Sequence, residues 1–403
     1  MPTQSQHPFT TATGMGIRRS TSVLDYRSAV ADLADSLNTQ HGVLLASSFE
    51  YPGRYTRWDI GFINPPLMLE ASGRRLTITA LNTRGRILLP ELHQALSGCT
   101  EIDELEAASE ILRIRVTEPV AELNEEFSEE MRSRRPTVFS VLRTLQRALY
   151  TAEDAYLGFY GAFGYDLTFQ FEDVTRFQQR APEQRDLVLY FPDQITVADH
   201  RAERTLCHSY EFNCRSWDSP RRTETTGGFH RAGTNADYAP ALTVAADCDH
   251  EPGEFAAQVK RAQGYFRRGD LFEVVPGQTF FEPCKDSPAT VFKRLREANP
   301  APYGALMNLG RREYLIAASP EMFVRVEGRQ IETCPISGTI ERGADAIADA
   351  EQIRTLLNSK KDEAELSMCT DVDRNDKARV CEPGSVQVVG RRQIEMYSRL
   401  IHT

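Results

Sequence analysis

Thr333-Cys-Pro-Ile-Ser-Gly-Thr339, followed by Asp362-Glu-Ala-Glu365, by Asp371-Val-Asp-Arg-Asn-Asp376 and by Arg399-Leu-Ile-His402-Thr403, is the stretch from which the rest of the sequence is read. Between its first two clusters, Ile347, Ala350, Ile353 and Leu357 recur at helical spacing, which predicts a helix over Asp345–Met368. Asp362 and Glu365 are three apart on that helix, so both carboxylates point the same way, one turn apart. Magnesium is a hard ion held by one or two carboxylates plus water and substrate oxygens, which makes the pair a candidate half-site. Spacing alone favours a plainer reading, a solvated helix face paired to Lys360 and Lys361. Pro335–Thr339 sets a glycine and a hydroxyl directly after a predicted strand, where backbone and side chain can bind an anionic oxygen. Ser319-Pro320-Glu321 places an acid at a strand end, where burial would raise its pKa and suit it to donate a proton, although the motif alone reads more simply as a surface turn. His402 stands next to the last residue; a lone histidine is more often structural than catalytic.

The bulk of the chain sets bounds around these clusters. Its 403 residues suffice for one large or two ordinary domains. A hydrophobic share of 41% with 26% charged residues is that of a soluble globular protein. The net charge of -10 argues against a nucleic-acid partner, while leaving room for a local basic pocket and a small anionic substrate. Eight cysteines lie scattered without a Cys-x-x-Cys pair, so reduced thiols are expected. The first residues show no signal-peptide pattern and no apolar run is long enough to span a bilayer. A soluble, cytoplasmic protein with no membrane partner is the expectation.

Residues 1–20 are polar and expected to be disordered. Ser22–Leu37 has a helix-like pattern; Val43–Phe49, Leu67–Thr79, Arg86–Leu89, Leu112–Val116, Leu187–Phe191 and Gln194–Ala198 read as strands. Glu101–Ile111 reads as a helix or turn, Glu122–Arg135 as a solvated loop or helix face, and Pro136–Ala148 as a helix. Glycines inside the aromatic run Tyr156–Phe171 point to close backbone approach at a buried sheet. Residues 215–254, rich in Ser, Thr, Gly, Asp and His, read as a linker between an N-terminal subdomain (21–214) and a second one (255–403). Beyond it a helix from Phe255 to Phe266, a strand Leu271–Phe281, and a helix capped by Ser287-Pro288 are expected. Tyr303–Leu309, Glu313–Ala318, Met322–Glu327 and Arg329–Cys334 then read as antiparallel strands. The class is α+β.

Taken in order, Asn299-Pro-Ala-Pro-Tyr303, Ala318-Ser-Pro-Glu321, Pro335–Thr339, Asp362–Glu365, Asp371–Asp376, Arg379-Val-Cys-Glu-Pro-Gly384 and Tyr397–His402 resemble the chorismate-utilising enzymes. Within them the chain looks most like the synthase component of anthranilate synthase, from about Val43 to the end. Gly158-Phe-Tyr-Gly-Ala-Phe-Gly-Tyr-Asp-Leu167 and Asn358–Leu366 are similar to the bacterial form fused to a glutaminase domain. The resemblance implies two antiparallel sheets packed as a sandwich with flanking helices, residues 255–403 being the N-terminal part of the chorismate-binding domain. It also implies a lyase that converts chorismate and ammonia, drawn from glutamine, to anthranilate and pyruvate. That is the first step of tryptophan biosynthesis.

By motif matching, Glu365 would ligate Mg2+ and Asp362, where the family usually has Glu, would stand in its outer shell. Glu321 would assist loss of the ring hydroxyl, Thr339 with Gly338 would bind substrate, and His402 would act in the elimination. Ser337 stands where relatives making a 4-amino product carry a nucleophilic lysine, and so argues against that branch. Glu273 replaces the lysine of water-adding relatives, against isochorismate formation. Tryptophan, as feedback inhibitor, would bind between Ser47-Ser48 and Pro302-Tyr303, with Ala46 where many members carry glutamate. The family's second carboxylate helix and the Gly-x-Cys-x-Gly glutaminase elbow have no counterpart here, so a truncated chain, inactive alone and a homo-oligomer at full length, is expected. Two alternatives stay open, a phenazine-type 2-amino-2-deoxyisochorismate synthase and a tryptophan-binding fragment without activity.

Overall fold

The computed structural model describes residues 5–48, 57–118, 135–172, 174–177, 179–217, 222–231, 233 and 238–403. Two antiparallel sheets carry the first three-quarters of the chain. Strands β5 (Leu67–Ser72) and β6 (Arg75–Ala80) bury every second residue, the period of a strand with one face inward. They sit in a six-stranded sheet in the order β7 (Ile102–Ala108), β8 (Ile111–Val116), β6, β5, β10 (Leu187–Phe191), β9 (Tyr160–Phe163). Close backbone approach at Gly161 is real: a Cβ there would stand 2.1 Å from the Val188 carbonyl oxygen.

The larger sheet runs β1 (Ser5–Thr10), β2 (Gly16–Leu24), β12 (Arg204–Arg215), β11 (Gln194–Asp199), β4 (Trp58–Ile63), β3 (Gly42–Ala46), β14 (Tyr303–Asn308), β15 (Tyr314–Ser319). A ninth strand, β13 (Thr223–Thr225), pairs with β12. This sheet draws strands from both sides of the 215–254 segment, and β13 lies within it. Helices α1 (Ala29–Ser36), α2 (Thr83–Leu96), α3 (Val138–Leu149) and α5 (Pro288–Ala298) pack on the sheets, whereas α4 (Glu254–Arg268) has no buried residue.

One apolar core joins both sheets with α2 and α3, through Leu69, Ile78, Leu189, Val197 and Phe212 among others. A second lies between α1, α5 and the β3–β14 pair; a third joins β3, β4 and β14 to β10. No residue after Ala317 belongs to any of the three. The remaining elements are small: the hairpin β16 (Arg325–Glu327) and β17 (Gln330–Glu332), and a three-stranded sheet of β18 (Thr339–Glu341), β20 (Leu400–His402) and β19 (Glu395–Met396). Helices α6 (Ala346–Asn358) and α7 (Lys360–Ala378) stand between them.

Several expectations are corrected. Residues 5–20 are not disordered; β1 and β2 pair from Ser5↔Thr21 to Thr10↔Gly16, and Ile17 is buried in the main core. Ser22–Leu37 is helical only from Ala29. The run at Arg86–Leu89 is helix, not strand, because α2 is buried on several sides and shows an unbroken apolar run. Residues 102–108 are strand, not helix: β7 is a largely exposed edge whose Glu104 and Glu106 stand opposite Arg115 and Arg113, so charge pairing replaces apolar alternation. No strand forms over 271–281 beyond an isolated bridge between Cys248 and Phe280, since the segment has no neighbouring strand to complete a ladder. The helix expected over Asp345–Met368 breaks at Ser359, whose side chain caps α7. Glu122–Arg135 falls almost wholly outside the described residues.

Candidate active site

The small sheet closes a gap of more than sixty residues. Thr339 pairs with His402 and Ile340 with the fully buried Ile401. Ser337 N–H donates to the Thr403 carbonyl at 2.9 Å, and the Thr403 hydroxyl donates to the Ser337 carbonyl at 2.7 Å. As a result Thr339 Oγ1 lies 2.8 Å from His402 Nδ1. His402 is buried, which pushes its pKa down, while the charge of Glu395, its cross-strand neighbour, pulls the other way. Burial prevails, and the imidazole is neutral at pH 7.

Gly338 stands at the centre with φ +92°. A Cβ at this position would lie 3.0 Å from the Asp362 Cβ and 3.0 Å from Thr403 Oγ1. Beside it, Ser337 Oγ is buried and has no hydrogen-bond partner among the described residues. Ser359 caps α7 by accepting from Asp362 N–H at 3.3 Å, and so directs the positive end of the helix toward this corner.

Asp362 and Glu365 both reach Lys361, whose Nζ lies 3.6 Å from Asp362 Oδ1 and 3.2 Å from Glu365 Oε2. The plainer reading of the pair is thus present in the structure, with Lys361 alone as the bridging cation. Among the described residues no group of three or more His, Cys, Asp or Glu converges as a metal cage. The donor set nonetheless fits magnesium, which accepts one or two hard carboxylates and takes its other oxygens from water and substrate. Lys361 is largely exposed, so displacing it costs little.

Glu321 is exposed, as a surface turn would leave it, because the loop after β15 leaves the sheet for solvent. It is still close to α7: the Cys369 thiol there is pushed up by burial and then by the charges of Glu273, Glu365, Asp373 and Glu321. Its neighbour Pro320 offers a carbonyl 3.2 Å from the Tyr397 hydroxyl, which is also 2.6 Å from Glu395 Oε2. Tyr397 in turn stands edge-on to the His402 ring at 5.0 Å. Sequence reading did not single out Glu395, although it is the only acid after Glu382 and shares a strand face with Tyr397. Nor did it find that Thr333 Oγ1 donates to Asp373 Oδ2 at 2.6 Å, which ties the end of β17 to α7.

The second candidate site lies on the larger sheet. β3 and β14 pair, with Ala46 opposite Gly304. Past the ends of the pairing, Ser48 N–H donates to the Ala301 carbonyl at 3.0 Å and Ala301 N–H donates to Ser48 Oγ at 3.1 Å. Ser47 and Ser48 are thereby brought against Pro302 and Tyr303, whose ring is partly exposed. Ala46 is buried and presents no carboxylate to this corner.

Comparison with known proteins gives the family. Residues 102–403 match the family described as chorismate binding enzyme. Over 395 residues, 98% of this chain and 52% of the relative, the sequence is 51% identical to an anthranilate synthase of Azospirillum brasilense. It is 31% identical over 408 residues to the pyocyanine-specific anthranilate synthase component 1 of Pseudomonas aeruginosa, covering 96% of this chain and 74% of that one. The chain thus spans about half the length of the first of these relatives. In fold it is similar to the menaquinone-specific isochorismate synthase of Escherichia coli, with a TM-score of 0.53 at 14% identity, covering 99% of this chain and 71% of that one. Among the described residues no helix is long and apolar enough to cross a membrane. By its motifs, its family match and these identities, the chain belongs to the chorismate-binding enzymes, among the relatives of anthranilate synthase component 1.

Proposed function

We propose that the chain carries the chorismate-converting part of an anthranilate synthase, in which chorismate and ammonia become anthranilate, pyruvate and water. Ammonia comes from glutamine through a glutaminase domain or subunit, and the step opens tryptophan biosynthesis. The observation that carries the reading is the buried, unpartnered Ser337 hydroxyl set between the Gly338 backbone and the Thr339–His402 contact. A buried hydroxyl without a partner among the described residues leaves a donor free for a ligand oxygen. Thr339 and the Gly338 peptide bind the substrate, with the α7 N-terminus favouring its negative charge.

Glu321, beside the site and open to solvent, protonates the departing 4-hydroxyl so that it leaves as water while ammonia forms the new C–N bond. His402, neutral because buried and oriented by Thr339, acts in the following elimination, in which the ring loses a proton and pyruvate departs. Asp362 and Glu365 would hold Mg2+, which would supply positive charge to neutralise the ring carboxylate. Ser337 offers no amine to compete with ammonia. Tryptophan binds as feedback inhibitor between Ser47-Ser48 and Pro302-Tyr303.

The test is to incubate the protein with chorismate, MgCl2 and ammonium chloride, following anthranilate fluorescence and pyruvate release, with chorismate binding measured by calorimetry. Chorismate binding that requires Mg2+ and falls by ~10-fold or more in Thr339→Val supports the assignment. An aminated product without pyruvate moves the reading to a 2-amino-2-deoxyisochorismate synthase. Tryptophan binding without any chorismate binding leaves only the regulatory part.

A further inference from the structure

The two walls of the proposed effector site, Ser47-Ser48 and Asn299–Tyr303, come from distant parts of the chain, and one buried carboxylate ties them together. Asp59 on β4 is 1% exposed. Its Oδ1 accepts from Ser47 N–H at 2.9 Å and its Oδ2 from Arg296 Nη2 at 3.1 Å. The same Nη2 donates to the Ser47 carbonyl at 3.3 Å. Arg296 lies in the last turn of α5, whose chain runs directly into Asn299. On the other side His200 Nε2 is 3.2 Å from Asp59 Oδ1, and its Nδ1 is 3.0 Å from the Tyr26 hydroxyl.

None of these groups serves the chemistry proposed above. A carboxylate this deeply buried is unfavourable unless several donors compensate it. Here the compensation does something further: both backbone polar groups of Ser47 are held by one ion pair, the N–H by Asp59 and the carbonyl by Arg296. The next residue, Ser48, is bonded to Ala301 in both directions. The pair therefore sets how far the exit of β3 stands from the exit of α5, and which way the Ser47 peptide faces.

We propose that Asp59 and Arg296 form a positioning clamp that fixes the geometry of the effector site and so sets its affinity for tryptophan. This rests on the tryptophan reading of that site. The clamp acts through Ser47 and Ser48, without contact to the amino acid itself.

Calorimetric titration of the protein with L-tryptophan tests it, together with Asp59→Asn, Arg296→Gln, the double variant and Arg57→Gln. Arg57 pairs with Asp199 on the surface nearby and serves as control. Each clamp substitution is expected to weaken binding by at least ~10-fold. The double variant should be no weaker than the worse single one, because the two residues act as a unit. Arg296→Lys, which keeps the charge and loses the fork, should fall between. Amide exchange at Ser47 and Ser48, read by NMR, gives a measure that does not need the ligand; both amides should exchange faster in Asp59→Asn. Melting temperatures identify any variant that fails to fold, and the partly exposed Arg296 then carries the test. Unchanged tryptophan affinity in a folded clamp variant overturns the proposal. If the unmodified protein does not bind tryptophan, faster exchange in Asp59→Asn retains the clamp and rejects only the effector reading. Unchanged exchange rejects the clamp.

Discussion

Ser337 separates stability from binding more cleanly than any other residue of the site. Its hydroxyl is buried but bonded to nothing among the described residues, while its backbone is anchored to Thr403. Removing a hydroxyl that makes no internal hydrogen bond removes a desolvation cost and leaves a cavity of one atom. Ser337→Ala is therefore expected to change unfolding free energy by no more than ~0.5 kcal/mol in urea titration. Chorismate affinity in the presence of Mg2+ is expected to fall by ~10-fold, on the scale of one hydrogen bond to a charged group. A loss of stability equal to the loss of binding would remove the case for a ligand-directed hydroxyl. Serine at this position was legible in the sequence; that it lacks a partner was not, since satisfaction of a hydroxyl depends on what the rest of the chain places around it.

At the scale of single elements, α2 shows how a helix can be hidden from periodicity and yet hold two sheets together. Asn82 accepts from Gly85 N–H at 3.1 Å and opens the helix, and its first turn carries Arg84 into the interior. Arg84 is paired with Asp193 and donates to the carbonyls of Tyr210 and Thr226, which lie in the middle of β12 and just past β13. Burial pulls the guanidinium down and pushes the carboxyl up, each partner's charge opposing the trend. Removing one partner leaves the other charge buried without compensation, so Arg84→Ala is expected to cost ~3–5 kcal/mol in chemical denaturation. Arg84→Met with Asp193→Leu together should recover most of that loss. Equal destabilisation in the single and double variants would mean that the carbonyl hydrogen bonds, not the ion pair, matter. An arginine at the head of an apolar run reads as a surface residue from sequence, because only the assembled sheets supply its acceptors. In β7, likewise, the glutamates that mask the strand make sense only opposite the arginines of β8.

For the molecule as a whole, acid should be the weak side. His41, His208 and His402 all have pKa values lowered by burial. A histidine with a depressed folded pKa binds fewer protons folded than unfolded, so its contribution to stability is fully present above about pH 6.5 and is lost as pH falls through the folded value. His250 has the opposite shift, raised by its hydrogen bond to Asp249, but that partner is exposed and solvent screens the effect. The melting temperature is therefore expected to drop steadily as pH is lowered from 7 toward 5. His208, which lies 3.0 Å from Thr21 Oγ1 and stacks on Tyr156, is the residue to change: His208→Gln should flatten the drop. A melting temperature that is level between pH 7 and 5 contradicts this account.

Within that whole, the sequence by itself determined the family and about half of the strands of the two large sheets. These are readable because they are local: a motif is a run of neighbours, and a half-buried strand shows its period in its own residues. Tertiary structure alone decided that Thr339 meets His402, that the Ser337 hydroxyl is left without a partner among the described residues, that Glu321 is exposed, and that Asp59 and Arg296 hold the backbone of Ser47 between them. It also decided that residues 5–10 and 16–24 are paired strands and that one sheet crosses the segment read as a linker. Each of these depends on pairing or on desolvation between residues far apart in the chain, and no local pattern encodes which distant group will stand opposite.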